Sequence, residues 1–131
     1  MVVQHMDRTR FVPTLVHIAR DGWFAEDQDG QRHPVNKGDF TWEDGAGGHH
    51  SFDVVFEMVH GTPGEDGRLS AYFDLIGLPY AASQPRTLAI GHHKAWTTAL
   101  LARFGHPVAE AGIFHVDVLE TLDAQAEALA A

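Results

Sequence analysis

FDVVFEMVH followed by GTPGEDG, residues 52–60 and 61–67, is the stretch that decides the fold. Phe52, Val54, Val55, Phe56, Met58 and Val59 place apolar side chains in both registers of an extended chain. That is the pattern of a central strand covered on each face. Glycines at 61, 64 and 67 then predict a tight turn. Beyond it Leu69, Tyr72, Phe73 and Ile76 recur at helical spacing until Gly77 closes the element. Strand, turn and helix, with a second strand candidate at 78–82 (LPYAA), predict an α/β fold with an open, mainly parallel sheet. In that sheet 52–59 is central.

Towards the N-terminus, residues 11–19 (FVPTLVHIA) read as a buried strand with Pro13 near its start. Residues 22–42 read as a small β-hairpin excursion, since Asp29-Gly30 between two extended stretches is a hairpin signal. Residues 45–50 are a loop by composition. Towards the C-terminus, a helix from Pro85 is interrupted at Gly91, resumes at Lys94 and stops at Gly105. Residues 106–114 are extended, and 116–131 are a helix or a tail. No internal repeat is expected.

At 131 residues the chain is one domain or part of one. Nine Lys plus Arg against 18 Asp plus Glu give a net charge of −9, which argues against nucleic acid and anionic membranes as partners. The absence of cysteine excludes disulfides, thiolate metal sites and cysteine nucleophiles. Residues 1–11 have no apolar core of a signal peptide, and no run is long enough to span a membrane, so a cytoplasmic location is expected. Ten histidines are an excess, and protonating all of them would carry the charge from −9 to +1.

The turn at 61–67 is the most informative chemical feature, because ligands of open α/β sheets bind at the carboxyl ends of strands. His60 stands at such an end, with Glu65 and Asp66 placed to hold free amides at the start of the following helix. A purely structural turn capped by Asp66 is the competing reading. Lys94 follows Gly91-His92-His93 at a helix start, where a cation opposes the dipole and hints at an anion such as phosphate; an ordinary exposed lysine is the alternative. The pairs His49-His50 and His92-His93 lack the spacing of a metal site. Neither a nucleophile elbow nor a Gly-x-Gly-x-x-Gly motif is present.

Together these residues resemble a known family. His60-Gly61-x-x-Gly64-Glu65-Asp66-Gly67, preceded by Asp53-Val54-Val55-Phe56 and followed by Leu75-Ile76-Gly77-Leu78-Pro79-Tyr80, is similar to the N-terminal domain of D-alanine–D-alanine ligases, which are ATP-grasp enzymes. The resemblance runs over roughly residues 5–115. It implies a Rossmann-like domain at 1–106, lacking its first strand, and a linker with the start of the central ATP-grasp domain at 107–131. The implied function is part of an ATP-dependent ligase that makes the D-Ala-D-Ala dipeptide for peptidoglycan through an acyl-phosphate, with no complete catalytic set in this chain. By resemblance, His60, Gly61, Glu65 and Asp66 bind the first D-alanine and Lys94 reaches the ATP phosphates. ATP and Mg(2+) would serve the full enzyme, none being held tightly by this chain, and such ligases are often homodimers through this domain. His93 departs from the family's Asp before the lysine, and the amine-holding Glu of the family's first loop has no counterpart in residues 1–11. A non-catalytic binding or partner module derived from such a ligase is the alternative, and ligases using D-serine or D-lactate as second substrate are equally compatible.

Overall fold

A meander of consecutive antiparallel strands builds the sheet. Strands β1 (Leu15–Ile18), β2 (Trp23–Glu26), β3 (Arg32–Asn36), β4 (Thr41–Glu43) and β5 (His49–His50) lie in that order, each antiparallel to the next. Short helices complete an α/β arrangement: α1 (Val2–His5), α2 (Arg68–Ile76), α3 (Pro85–His92) and α4 (Lys94–Arg103). The computed structural model describes residues 2–112, so the expected helix or tail at 116–131 lies outside the described residues.

The Asp29-Gly30 signal and the excursion at 22–42 form as expected, with Ala25 of β2 fully buried. Residues 45–50, expected as loop, instead close a second hairpin onto β5. The turns share one construction. Glu26-Asp27-x-x-Gly30-x-x-His33 recurs seventeen residues later as Glu43-Asp44-x-x-Gly47-x-x-His50, a short internal repeat that the sequence reading missed. In each copy Oδ1 of the Asp accepts two backbone N–H groups: Asp29 and Gln31 for Asp27, Ala46 and Gly48 for Asp44. Oδ2 accepts the imidazole Nε2–H, from His33 at 2.7 Å and from His50 at 2.8 Å. The two imidazoles flank the indole of Trp42, His50 stacked at 4.2 Å and His33 tilted at 5.4 Å. Part of the histidine excess is thereby structural.

The bond from His50 is the largest influence on the Asp44 carboxyl, and with the backbone bonds it holds the group down at about 2. His33 lowers Asp27 in the same way. A carboxyl held below its unfolded value contributes stability above that value and loses it as pH falls through the folded one. Asp44→Asn is therefore expected to have a lower denaturation midpoint than the wild type at about pH 6, with the gap closing as pH falls from about 4 towards 2. Urea titrations followed by tryptophan fluorescence at each pH measure it; equal midpoints at neutral pH would show that the clasp contributes nothing.

Residues 52–59 do not form the central strand of a parallel sheet. They run extended, and among the described residues their one ladder contact is an isolated parallel bridge from Val55 to Tyr80. Val55 N–H donates to the Pro79 carbonyl and Ala81 N–H to the Val55 carbonyl, each at 2.8 Å. Parallel pairing needs a long crossover for every partner, and here the crossover through α2 delivers only this one. Adjacent antiparallel strands close through short turns at far lower entropic cost, so the sheet is antiparallel. Residues 11–19 also differ from expectation: only Leu15–Ile18 is strand, at the sheet edge, with 16–18 half-buried and Leu15 and Val12 exposed.

The core lies between sheet and α2, where Leu69 and Phe73 meet Ala25, Val35, Phe40 and Trp42. Helix α2 begins two residues after Asp66 and ends on left-handed Gly77, as its sequence predicts. The Tyr72 hydroxyl donates to the Lys37 carbonyl at 3.0 Å and ties the β3–β4 turn to α2. Helix α3 packs on α2 and α4 on α3. Gly91 stays helical, and the break falls at His93, whose Nδ1 accepts the Trp96 N–H at 3.4 Å while its ring stacks on Trp96.

Candidate functional site

The loop 60–67 is held at its middle and at its C-terminal end by close backbone approach. A Cβ on Gly64 would sit 2.1 Å from the Val59 carbonyl oxygen, so only glycine fits beside the extended segment. Gly67 is left-handed (φ 82°), and a Cβ there would meet the Pro85 carbonyl oxygen at 2.4 Å. Glycine at 67 thus lets the first residue of α3 rest on the start of α2.

Within this frame Glu65 closes the loop on itself. Its N–H donates to the Gly61 carbonyl at 2.7 Å, and its Oε2 accepts the Gly61 N–H at 2.9 Å. Its Oε1 lies 3.7 Å from Nδ1 of His60, whose side chain is 88% exposed. An open imidazole with a carboxylate behind it can donate hydrogen bonds to an anionic ligand in front.

Asp66 points the other way. It accepts the Arg68 N–H and pairs with the Arg68 guanidinium, both at 3.2 Å, and its side chain is only 14% exposed. Burial pushes its carboxyl up, but bonds from Thr62 and Arg68 and the charges of Arg68 and His92 outweigh this and hold it below its ordinary value. The helix-capping reading of Asp66 is what the geometry displays, although the cap residue itself is Gly67.

Lys94 is the first residue of α4 and is exposed. Among the described residues no ion pair joins it to the loop. The structure therefore unites His60, Gly61 and Glu65, anchors Asp66 beside them, and carries Lys94 on a separate helix. His93 caps that helix, its free ring nitrogen accepting the Trp96 N–H. Sequence reasoning missed Glu57, a half-buried acid beneath the loop bonded to Ser70 of α2; its signal was a charge inside an apolar run. No group of three or more His, Asp or Glu that could hold a metal ion occurs among the described residues. No helix there is long and apolar enough to cross a membrane.

Residues 1–83 match the family model described as D-ala D-ala ligase N-terminus. A D-alanine–D-alanine ligase of Flavobacterium johnsoniae is 34% identical over 105 residues, covering 80% of this chain and 32% of that protein. The chain thus spans about a third of the length of the curated relatives it matches. Among solved structures, the D-alanine-D-alanine ligase of Coxiella burnetii superposes with a TM-score of 0.73 at 26% identity, over 95% of this chain and 43% of that one. The VanG D-Ala:D-Ser ligase of Enterococcus faecalis has a TM-score of 0.71 at 23% identity, covering 97% and 42%, a likeness of fold.

Proposed function

This chain belongs to the D-alanine–D-alanine ligase family through its N-terminal domain, and on that premise we propose that it contributes one wall of an ATP-dependent ligase site. The reaction is formation of the D-Ala-D-Ala dipeptide for peptidoglycan. The carboxylate of one D-alanine takes a phosphoryl group from ATP, and the amine of a second displaces it.

The observation that supports this reading best is the 60–67 loop, which presents an exposed imidazole backed by Glu65 on a rigidly seated backbone. His60 donates to the carboxylate of the first D-alanine. Gly61 lets that substrate approach the backbone, Glu65 holds the loop shape, and Asp66 fixes the loop to α2. Lys94, free of an ion-pair partner among the described residues, supplies positive charge to the ATP phosphates. Positioning and charge stabilisation are what phosphoryl transfer asks of a protein. Magnesium, which such a ligase also implies, finds no ligand set among the described residues, so no step is assigned to it on this segment.

In the same reading, 1–106 is the N-terminal domain and 107–131 leads into the central domain. Residues 52–59 and 78–82 are neighbouring parallel strands of the complete enzyme's sheet. The enzyme works in the cytoplasm as a homodimer, away from nucleic acid and membrane. The cap at His93 removes one reason for preferring a non-catalytic module.

The test is steady-state kinetics of a complete ligase carrying this segment, varying ATP and D-alanine separately. Lys94→Ala is expected to raise the KM for ATP about tenfold, and His60→Ala to raise that for the first D-alanine by a similar factor. The 131-residue chain alone is expected to show no turnover. A complete protein that consumes no ATP in response to D-alanine would sink the reading.

A further inference from the structure

Glu57 is the charged side chain on the inward register of the segment 52–59, which it shares with Val55 and Val59. Its Oε2 accepts the hydroxyl of Ser70 at 3.0 Å, and Ser70 is fully buried in the first turn of α2. The two residues bracket the candidate loop: Glu57 lies three positions before His60, and Ser70 three positions after Gly67. Their bond crosses the loop's base from the extended segment to the helix.

As a stability device this arrangement is a poor choice. Burial is the largest influence on the Glu57 carboxyl and pushes it up; the Ser70 bond counters, and the nearby Asp66 charge pushes it further up. A half-buried acid with a like charge beside it costs desolvation that an aliphatic side chain at 57 would avoid. What the acid adds is direction, since a hydrogen bond to a fully buried hydroxyl fixes the register of segment against helix as apolar packing does not. A shift in that register carries His60 with it, because His60 follows Val59 directly and Gly64 packs closely on the Val59 backbone.

We propose that Glu57, acting through Ser70, is a positioning residue that sets the register of the 60–67 loop and so the placement of the His60 imidazole for a substrate carboxylate. The inference rests on the ligase reading for its substrate, and on the loop geometry alone for its structural part.

Two measurements test it. In the 131-residue chain, the Cε1–H NMR line of His60 is expected to move in Glu57→Ala and in Ser70→Ala, which removes a single oxygen. Glu57→Gln, which keeps an acceptor for Ser70, is expected to leave it in place. In the complete ligase, Glu57→Ala is expected to raise the KM for the first D-alanine about tenfold with the KM for ATP unchanged, and Glu57→Gln to restore it within about twofold. An unmoved His60 line in both Glu57→Ala and Ser70→Ala overturns the proposal, even if their melting points fall. A moved line in a complete protein without D-alanine-dependent turnover supports the strap and overturns the ligase reading instead. Should Glu57→Ala fail to fold, the Ser70→Ala and Glu57→Gln pair still decides.

Discussion

Gly64→Ala is expected to destabilise the chain by about 3 kcal/mol and to displace the loop that carries His60. The added methyl would lie 2.1 Å from the Val59 carbonyl oxygen, 2.8 Å from the Val59 Cβ and 2.9 Å from its carbonyl carbon. None of these is the tip of a flexible side chain. Relief therefore requires moving backbone that is pinned on one side by the Val55–Tyr80 bridge and on the other by α2. Gly61→Ala is the matched control: Gly61 is left-handed (φ 67°) but has nothing within 4 Å of an added Cβ. That variant bears only the backbone strain, about 1 kcal/mol. Urea midpoints of the two variants measured side by side check the argument. Equal losses would mean that conformational strain, and not the Val59 contact, governs the loop.

The parts of the fold legible in the sequence are those whose signals are local. The 61–67 turn, α2 with its Gly77 stop and the Asp29-Gly30 hairpin each depend on a few neighbouring residues. The segment 52–59 was misread because apolar residues in both registers report potential burial on two faces, and say nothing of how many strands arrive to provide it. In the structure Val54, Phe56 and Met58 stay more than half exposed, while Val55, Glu57 and Val59 turn inward. The doubled clasp around Trp42 escaped notice because its four repeated positions are polar turn residues, which do not register as periodicity. His93 as a helix cap was unreadable for a different reason: histidine is not a preferred cap, and its acceptor role depends on which ring nitrogen is free. Within the candidate site the motif names His60, Gly61, Glu65 and Asp66, and the structure has them on one loop. It could not reveal that Glu65 closes the loop on Gly61 while Asp66 bonds Arg68 of the helix, because which backbone N–H each carboxylate reaches depends on the folded turn.

Phe40 carries the second large effect, and its sign pattern is unusual. It is the non-glycine residue with positive φ (59°) among the described residues, yet it is 97% removed from solvent, with 3% exposure. Bulky side chains rarely adopt that conformation. Here the ring sits among Phe73 at 5.1 Å, Phe52 at 5.2 Å, Trp23 at 6.0 Å and Tyr72 at 6.1 Å, while its N–H closes the β3–β4 turn on the Asn36 carbonyl at 2.8 Å. A buried ring and a turn hydrogen bond thus both tie this residue to a strained region. Phe40→Ala is expected to cost about 3–5 kcal/mol, a large share of the roughly 5–15 kcal/mol that stabilises an ordinary domain. Phe40→Gly removes the same ring, and at most positions glycine is worse than alanine by about 0.5–1 kcal/mol. At φ 59° the order should reverse, because alanine keeps the left-handed strain and glycine does not. Phe40→Gly is therefore expected to unfold at a higher urea concentration than Phe40→Ala. The usual order, alanine above glycine, would show that the turn relaxes out of the left-handed region once the ring is gone. In that event the aromatic cluster, and not the turn's own hydrogen bond, is what imposes the conformation.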